Sequence, residues 1–442
     1  MKHLSKCLSM ILATLLLAAC LSVGASAAAG GVTVTNPYAG VNWETYGAYR
    51  GNLHTHSTLS DGGTNFSEMV EHHYDLGYDF LAMTDHGTVD RSWTQLNSAW
   101  LLKTVMDLVE SGDRTSTPLT QARWEEISTG ADRDDRGMLR VPFGIEHNPT
   151  SLSDSHVNSF FADVGHGLLG GTFDYETPVR EVDRAGGLCV LNHVGRYTNQ
   201  DGEVPTDAYE GLVSSYHIFK MQRLLEKYPA LLGLDINSKR DGETRNDRKL
   251  WDKLLMNLAP SGRQVFALAT SDTHSVDGSD TGFIWALMPV NNAENLKACL
   301  RKGAFFAAAH DIKNPAELAQ WAGETGLTLG EAWSANRQAL KPMITNITEQ
   351  GGEIRLTVEN DLAVHWISDG KVIATGPFID LNDCEGLGAY VRAEVFGLGG
   401  VLYTQAFLLE YEGVPGGKSV PWYFVDLGGI LAIFRRVALW FM

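Results

Sequence analysis

Cysteine is nearly absent. Five occur in 442 residues, at Cys7, Cys20, Cys189, Cys299 and Cys384, with no CxxC pair. That excludes a disulfide framework and a thiolate metal site. Basic residues are scarce beside acidic ones: 35 Lys and Arg face 53 Asp and Glu, a formal net charge of −18. Such a chain repels the phosphate backbone, which excludes a general nucleic-acid binder. A small anionic substrate stays open, because bound cations reverse the sign locally. What remains is the composition of a globular protein, 44% hydrophobic and 20% charged. The length suggests one large domain and a smaller one.

The two ends carry the long apolar runs. Lys2 and Lys6 flank the start of Leu8 to Val23, and small residues follow in "GASAAAG". This reads as a signal peptide, residues 1–27, cleaved after Ala27. "LAAC" offers a second reading, a lipoprotein box with Cys20 as the lipidated N-terminus. An uncleaved anchor is a third, disfavoured by the short run. The expected location is secreted or cell envelope. At the other end, residues 412–442 form an apolar, amphipathic tail in which 427, 430, 431, 434, 437 and 438 share one helix face. Arg435 and Arg436 argue against a spanning helix. The tail either packs back on the protein or lies on a membrane or envelope surface.

Between residues 46 and 309, short apolar runs alternate with helical patterns. "YDFLAM", "VPFGI", "GLCVL", "LLGLDI", "VFALA" and "FIWALM" are continuous, as in strands buried on both faces. "FSEMVEHHYDL" has Asn65 or Ser67 as cap and Gly77 after it. "VREVDRA" follows Thr177-Pro178 and ends at Gly186. About seven such units predict a distorted parallel (β/α)7 barrel, with residues 86–140 as a mostly helical excursion over one end. Residues 310–342 read as a linker. Residues 343–411 alternate apolar and polar with turn signals, which predicts a small antiparallel β-sandwich domain.

The reactive side chains fall at the ends of the apolar runs. In "RGNLHTH", His54 and His56 stand on alternate residues and point the same way. Asp61 returns after the turn. His86 closes "FLAMTDH", with Asp85 as a cap or outer partner. Glu146 closes "VPFGIE", His193 closes "GLCVLNH", and Asp272 and His274 close "VFALATSDTH". The C-terminal strand ends of a barrel converge on one face. With His156, nine groups are expected there. Imidazole and carboxylate without thiolate suit two or three divalent ions of Zn, Mn or Fe. Ions so held lower the pKa of bound water from ~16 to about 7.

"HTHSTLSDG", "AMTDHG", "GIEHN", "VLNHVGR" and "ATSDTHS", in that order from Tyr49 to Ala309, resemble the PHP (polymerase and histidinol phosphatase) superfamily of metallohydrolases. The secreted branch that includes the carbaryl hydrolase type is the most similar. The resemblance implies a trinuclear centre. One ion would be held by His54, His56, Glu146 and Asp272, and a second by Glu146, His156 and His193. A third would be held by Asp61, His86 and His274. The chain departs from the family in reading Asn192-His193-Val194 where NHP is frequent. His147 competes with His156, and His166 is the alternative to it.

Three functions are open on the sequence. The first is a secreted metal-dependent phosphoesterase acting on a small anionic substrate such as a phosphomonoester or nucleotide. Arg196 would grip the anion, and His274 or Asp61 would relay the proton. The second is a metallohydrolase of a carbamate, amide or carboxylic ester. The third is a non-catalytic envelope binding protein braced by metal.

Overall fold

The structure is a computed structural model that describes residues 26–27, 31–147, 155–167, 174–197, 213–237, 244–278, 280–310 and 339–426, with 323, 326 and 328 singly. Cys20, the N-terminal apolar run, most of residues 310–342 and residues 427–442 lie outside the described residues. Among the described residues no helix is long and apolar enough to cross a membrane.

The chain is an α/β protein with mixed sheets. A five-stranded sheet runs in the order Phe266–Leu268, Leu231–Asp235, Leu188–Leu191, Val157–Phe160, Ile145–Glu146. A larger sheet contains Phe305–Ala309, Gly282–Met288, Gly47–Asn52, Phe80–Leu81 and Leu139–Arg140 in that order. Single parallel bridges join the two, Thr55 with Thr273 and His86 with Glu146.

The continuous apolar runs have a clear cause. Alternate residues of one strand serve two different cores. Leu188, Val190, Leu232, Phe266 and Leu268 meet Phe80 and Ile284 in an interior shared by both sheets. Cys189, Leu191, Leu231, Leu234 and Ala267 face outward, beneath Val179, Met221, Leu224, Trp251 and Leu254. These last come from the helices Glu176–Arg184, Ser215–Lys227 and Thr244–Leu258. With both faces covered, no polar position is needed between apolar ones.

Helix ends follow local chemistry. Asn65 caps Phe66–Asp75 by accepting from Ser67 N, and Gly77 follows at φ +81°. Asn292 caps Ala293–Lys302, which Gly303 ends in the left-handed conformation. Glycine carries that backbone without a Cβ clash.

Strand direction differs from an all-parallel expectation. Val157–Phe160 runs antiparallel to both Ile145–Glu146 and Leu188–Leu191. Gly282–Met288 is antiparallel to Gly47–Asn52 and Phe305–Ala309. No continuous ladder closes a barrel among the described residues. The joins are single bridges, and Asp272, beside one of them, has φ +45°, outside strand geometry. The 86–140 excursion is also less helical than its composition suggests, with helices only at Trp100–Val109 and Gln121–Thr129.

The C-terminal strands extend the larger sheet. Phe305–Ala309 pairs with Gly400–Tyr403, which pairs with Tyr390–Gly397. Ala363–Ser368 and Lys371–Thr375 continue outward. Met343–Gln350, Glu353–Glu359 and Phe378–Asp380 form a separate antiparallel sheet. Its Ile344, Ile354, Leu356 and Ile379 pack with Trp366, Val391 and Val395, and the same core reaches Phe66, Met69 and Phe306. Pairing with Gly400–Tyr403 covers the Phe305–Ala309 edge, which would otherwise expose unpaired amides.

Candidate metal centre

Three groups of donors converge at one end of the shared interior. His54, His56, Glu146 and Asp272 form the first. His86, Glu146 and His156 form the second, and His56, Asp61, His86 and His274 the third. Within each, the donor atoms lie within 4.8 Å of one another. Glu146 lies at the centre. Its Oε2 is 3.1 Å from His54 Nε2 and from His56 Nε2, and 3.2 Å from His86 Nδ1. Its Oε1 is 2.8 Å from His156 Nδ1 and 3.6 Å from His193 Nε2. Asp272 Oδ1 adds contacts of 3.2 Å to His54 and 3.3 Å to His56. At the outer side, Asp61 Oδ2 is 3.2 Å from His274 Nε2 and 3.5 Å from His86 Nε2. All nine sequence-derived groups are thus neighbours. His193 stands next to the first two groups, 3.9 Å from Asp272 Oδ2.

Local structure explains how each side chain arrives. The Gly47–Asn52 strand delivers His54 and His56, and the Phe266–Leu268 strand delivers Asp272. His156 precedes a strand that runs opposite to its neighbours, so its N-terminal end lies where theirs terminate. His193 (φ +32°) and Asp272 (φ +45°) both hold left-handed backbone. Such conformations cost of order 1–3 kcal/mol each and persist where surrounding contacts fix them.

Those contacts are visible. Asp85 accepts from Ser57 N at 2.7 Å, Ser57 Oγ at 2.8 Å and Ser60 Oγ at 2.8 Å, bracing the loop after His56. Asn192 Nδ2 donates to Glu146 Oε1 at 3.0 Å, and Asn192 N donates to His156 O at 3.0 Å. Asn52 accepts from His54 N and Ser271 N, each at 3.2 Å. Neither Asn52 nor Asn192 stands out in the sequence. The only available signal is that Asn192 precedes a candidate donor directly.

The rival histidines face elsewhere. His147 Nε2 pairs with Ser159 Oγ at 2.7 Å, and burial pushes its pKa down to about 4. His166 contacts Arg91 Nη1 at 2.7 Å. Arg196 lies in the short 3-10 turn Val194–Tyr197, and its side chain is outside the described residues.

The electrostatics set carboxylates against imidazoles. Burial alone would raise Glu146, but His54, His86 and His156 hold it well below the usual carboxylate range. Burial likewise works against a low value at Asp61, and His86, His274 and His56 outweigh it. Burial would lower His56, yet Asp272, Glu146 and Asp61 raise it well above its ordinary value. Burial does lower His193, to about 3, with His156 adding to the effect. The ring nitrogens of His54 and His56 face each other at 3.1 Å with both rings buried. Imidazoles and carboxylates converging in this way fit divalent cations. The buried His, Asp and Glu clusters therefore fit a multi-metal site.

No family model matches the sequence, and no curated protein does. Solved structures show low-identity similarity. One is a two-domain protein containing a predicted PHP-like metal-dependent phosphoesterase from Bacteroides vulgatus, with 14% identity and a TM-score of 0.41. The match covers 86% of this chain and 95% of that one. A putative metal-dependent phosphoesterase from Bifidobacterium adolescentis has 13% identity and a TM-score of 0.28, over 51% and 87% of the two chains. A lesion-specific endonuclease from Pyrococcus furiosus has 12% identity and a TM-score of 0.32, over 58% and 56%. At these values the site's chemistry is read from its own side chains.

Proposed function

We propose that this chain is an exported, metal-dependent phosphoesterase of the PHP type. The observation that carries the reading is Glu146, whose two carboxylate oxygens face two different sets of imidazoles. A carboxylate so placed suits bridging two cations. His54, His56 and Asp272 would complete one site, and His156 and His193 a second. Asp61, His86 and His274, with His56 beside them, would hold a third. Divalent ions held there would supply an activated water and positive charge for a phosphoryl oxygen.

The remaining chemistry belongs to the chain. Asn192 fixes the orientation of Glu146, and Asp85 fixes the His56–Asp61 loop. His274 and Asp61 have side chains 36% and 25% exposed, against 0–2% for His54, His56, Glu146 and Asp272. They form the mouth, with His274 Nε2 3.2 Å from Asp61 Oδ2, and either would relay a proton only when it does not hold the third ion. Arg196 is assigned the substrate anion from its place three residues after His193. Export is assigned from the N-terminal charge and apolar run.

The test is a metal count by elemental analysis, paired with phosphate release from monoesters and nucleotides, with and without Mn or Zn. Metal uptake with phosphate release supports the reading. Metal uptake with cleavage of carbamates or carboxylic esters alone replaces it with the second hydrolase. No metal uptake overturns it.

A further inference from the structure

The loop that carries Asp61 is held from outside by one arginine of the 86–140 excursion. Arg114 Nη1 donates to Gly62 O at 2.6 Å, and Nη2 donates to Ser60 O and lies 3.5 Å from Thr58 O. One guanidinium thus grips three carbonyls on both sides of Asp61. The segment around it docks on the same loop. Thr58 Oγ1 donates to Thr115 O at 3.0 Å and lies 2.7 Å from Ser116 Oγ. Thr117 N and Oγ1 donate to Asn65 Oδ1 at 3.1 and 2.9 Å. Asn65 is also the cap of the next helix, so the loop is clamped at both ends.

We propose that Arg114 is a positioning residue for the outermost cation site, the one built on His56, Asp61, His86 and His274. The inference rests on the multi-metal reading of the cluster. Of the groups in that site, Asp61 is the one carried on an irregular loop remote from any strand end. His56 lies next to the strand-joining Thr55–Thr273 bridge, and His86 is itself a bridge partner. His274 is tied through its carbonyl to Gly63 N at 2.7 Å. Asp61 therefore depends on the backbone path of residues 58–62, which Asp85 braces through Ser57 and Ser60 and Arg114 grips from the other side through three carbonyls. A five-donor planar fork can hold several carbonyls in one geometry, which a point charge cannot. A preorganised donor loses less freedom when it takes an ion. The donors of the first two groups that the third does not share, His54, Glu146, His156 and Asp272, sit on other parts of the chain than this segment. Glu146 is fixed by Asn192 and by its strand pairing, and His156 is tied through its carbonyl to Asn192 N.

The experiment is stepwise Mn or Zn uptake by chelator-stripped full-length protein, followed by competition with a chromophoric chelator. Wild-type, Arg114→Ala, Arg114→Lys and Asp61→Asn chains are compared. Outer partners of metal ligands typically control affinity by about 10–100-fold. Arg114→Ala should weaken one class of ions, the outermost, by that factor and leave the tighter classes unchanged. Asp61→Asn should lose the same class, and Arg114→Lys should restore it only in part. Equal uptake by wild-type and Arg114→Ala overturns the inference while leaving the metal centre standing. So does equal weakening of every class in a chain whose circular dichroism is native. No uptake by wild type overturns the metal centre itself. If Arg114→Ala does not fold, Arg114→Gln takes its place and is read by the same outcomes.

Discussion

Asn52 and Ser271, 219 positions apart, are joined twice. Asn52 Nδ2 donates to Ser271 Oγ at 2.6 Å, and Ser271 N donates back to Asn52 Oδ1 at 3.2 Å. The same amide binds His54 N and Thr55 Oγ1. One buried side chain therefore sets the spacing between the His54–His56 pair and the Asp272–His274 pair. Asn52→Leu should cost about 1–3 kcal/mol, because buried backbone donors lose their acceptor. Urea unfolding should show it, and metal uptake should weaken in the same variant. Unchanged stability and uptake would contradict the arrangement.

His73 stands behind Asn52. Its Nδ1 faces Met69 O at 2.8 Å and its Nε2 faces Asn52 Nδ2 at 3.1 Å, so the neutral ring donates backward and accepts forward. Burial, His72 and Arg50 lower its pKa to about 3, against about 6.5 unfolded. A depressed histidine binds fewer protons folded than unfolded. Its contribution to stability is full above pH 6.5 and is lost as pH falls from there toward 3. His73→Gln should show a shallower fall in unfolding free energy across pH 6.5 to 4 than wild type, both stripped of metal. Equal slopes would refute it.

Glu146→Gln keeps the shape and removes the charge that several imidazoles share. Hydrolysis should fall by at least about 100-fold, the upper end of what an outer partner alone costs. Metal uptake should drop in the same preparation. A fully active, metal-loaded Gln variant would show that Glu146 is not central.

His147 and His156 give a contrast. His156→Ala should weaken metal uptake. His147→Ala should leave the metal count unchanged while destabilising by about 1–3 kcal/mol, since Ser159 loses its buried partner. Elemental analysis of the two variants separates the roles.

Arg392 is fully buried and lies between two carboxylates. Its Nε and Nη2 donate to Asp252 Oδ1 and Oδ2 at 2.9 Å each, and its Nη1 donates to Glu394 Oε1 at 2.7 Å. Tyr390 OH adds a bond to Asp252 at 2.7 Å. Asp252→Ala leaves that charge half-compensated and should cost roughly 3–5 kcal/mol in urea unfolding. A change below 1 kcal/mol would contradict a structural role for the pair.

Much of the site is legible in the sequence, because donors spaced two apart or closing apolar runs leave a pattern. His54 with His56 and Asp272 with His274 are such pairs. Helix caps such as Asn65 and Asn292 are legible for the same local reason. Strand direction is not. Val157–Phe160 reads alike in either sense, since both of its faces are buried and composition carries no arrow. Nor is the continuity from Ala307 to Tyr403 legible, because an edge chooses its partner only once the sheet exists. Asn52 and Arg114 act on backbone atoms far along the chain, Asn192 on Glu146 and His156, and His73 on Asn52. A lone polar residue gives no sign of that task.

The pairing of Ala307 with Tyr403 has a practical side. A chain cut near residue 340 would keep every candidate donor yet bare a flat, alanine-rich ribbon on its flank. Such a fragment should stick to its own kind rather than stay monodisperse. The last hundred residues are thus less an attachment than the wall against which the rest is built.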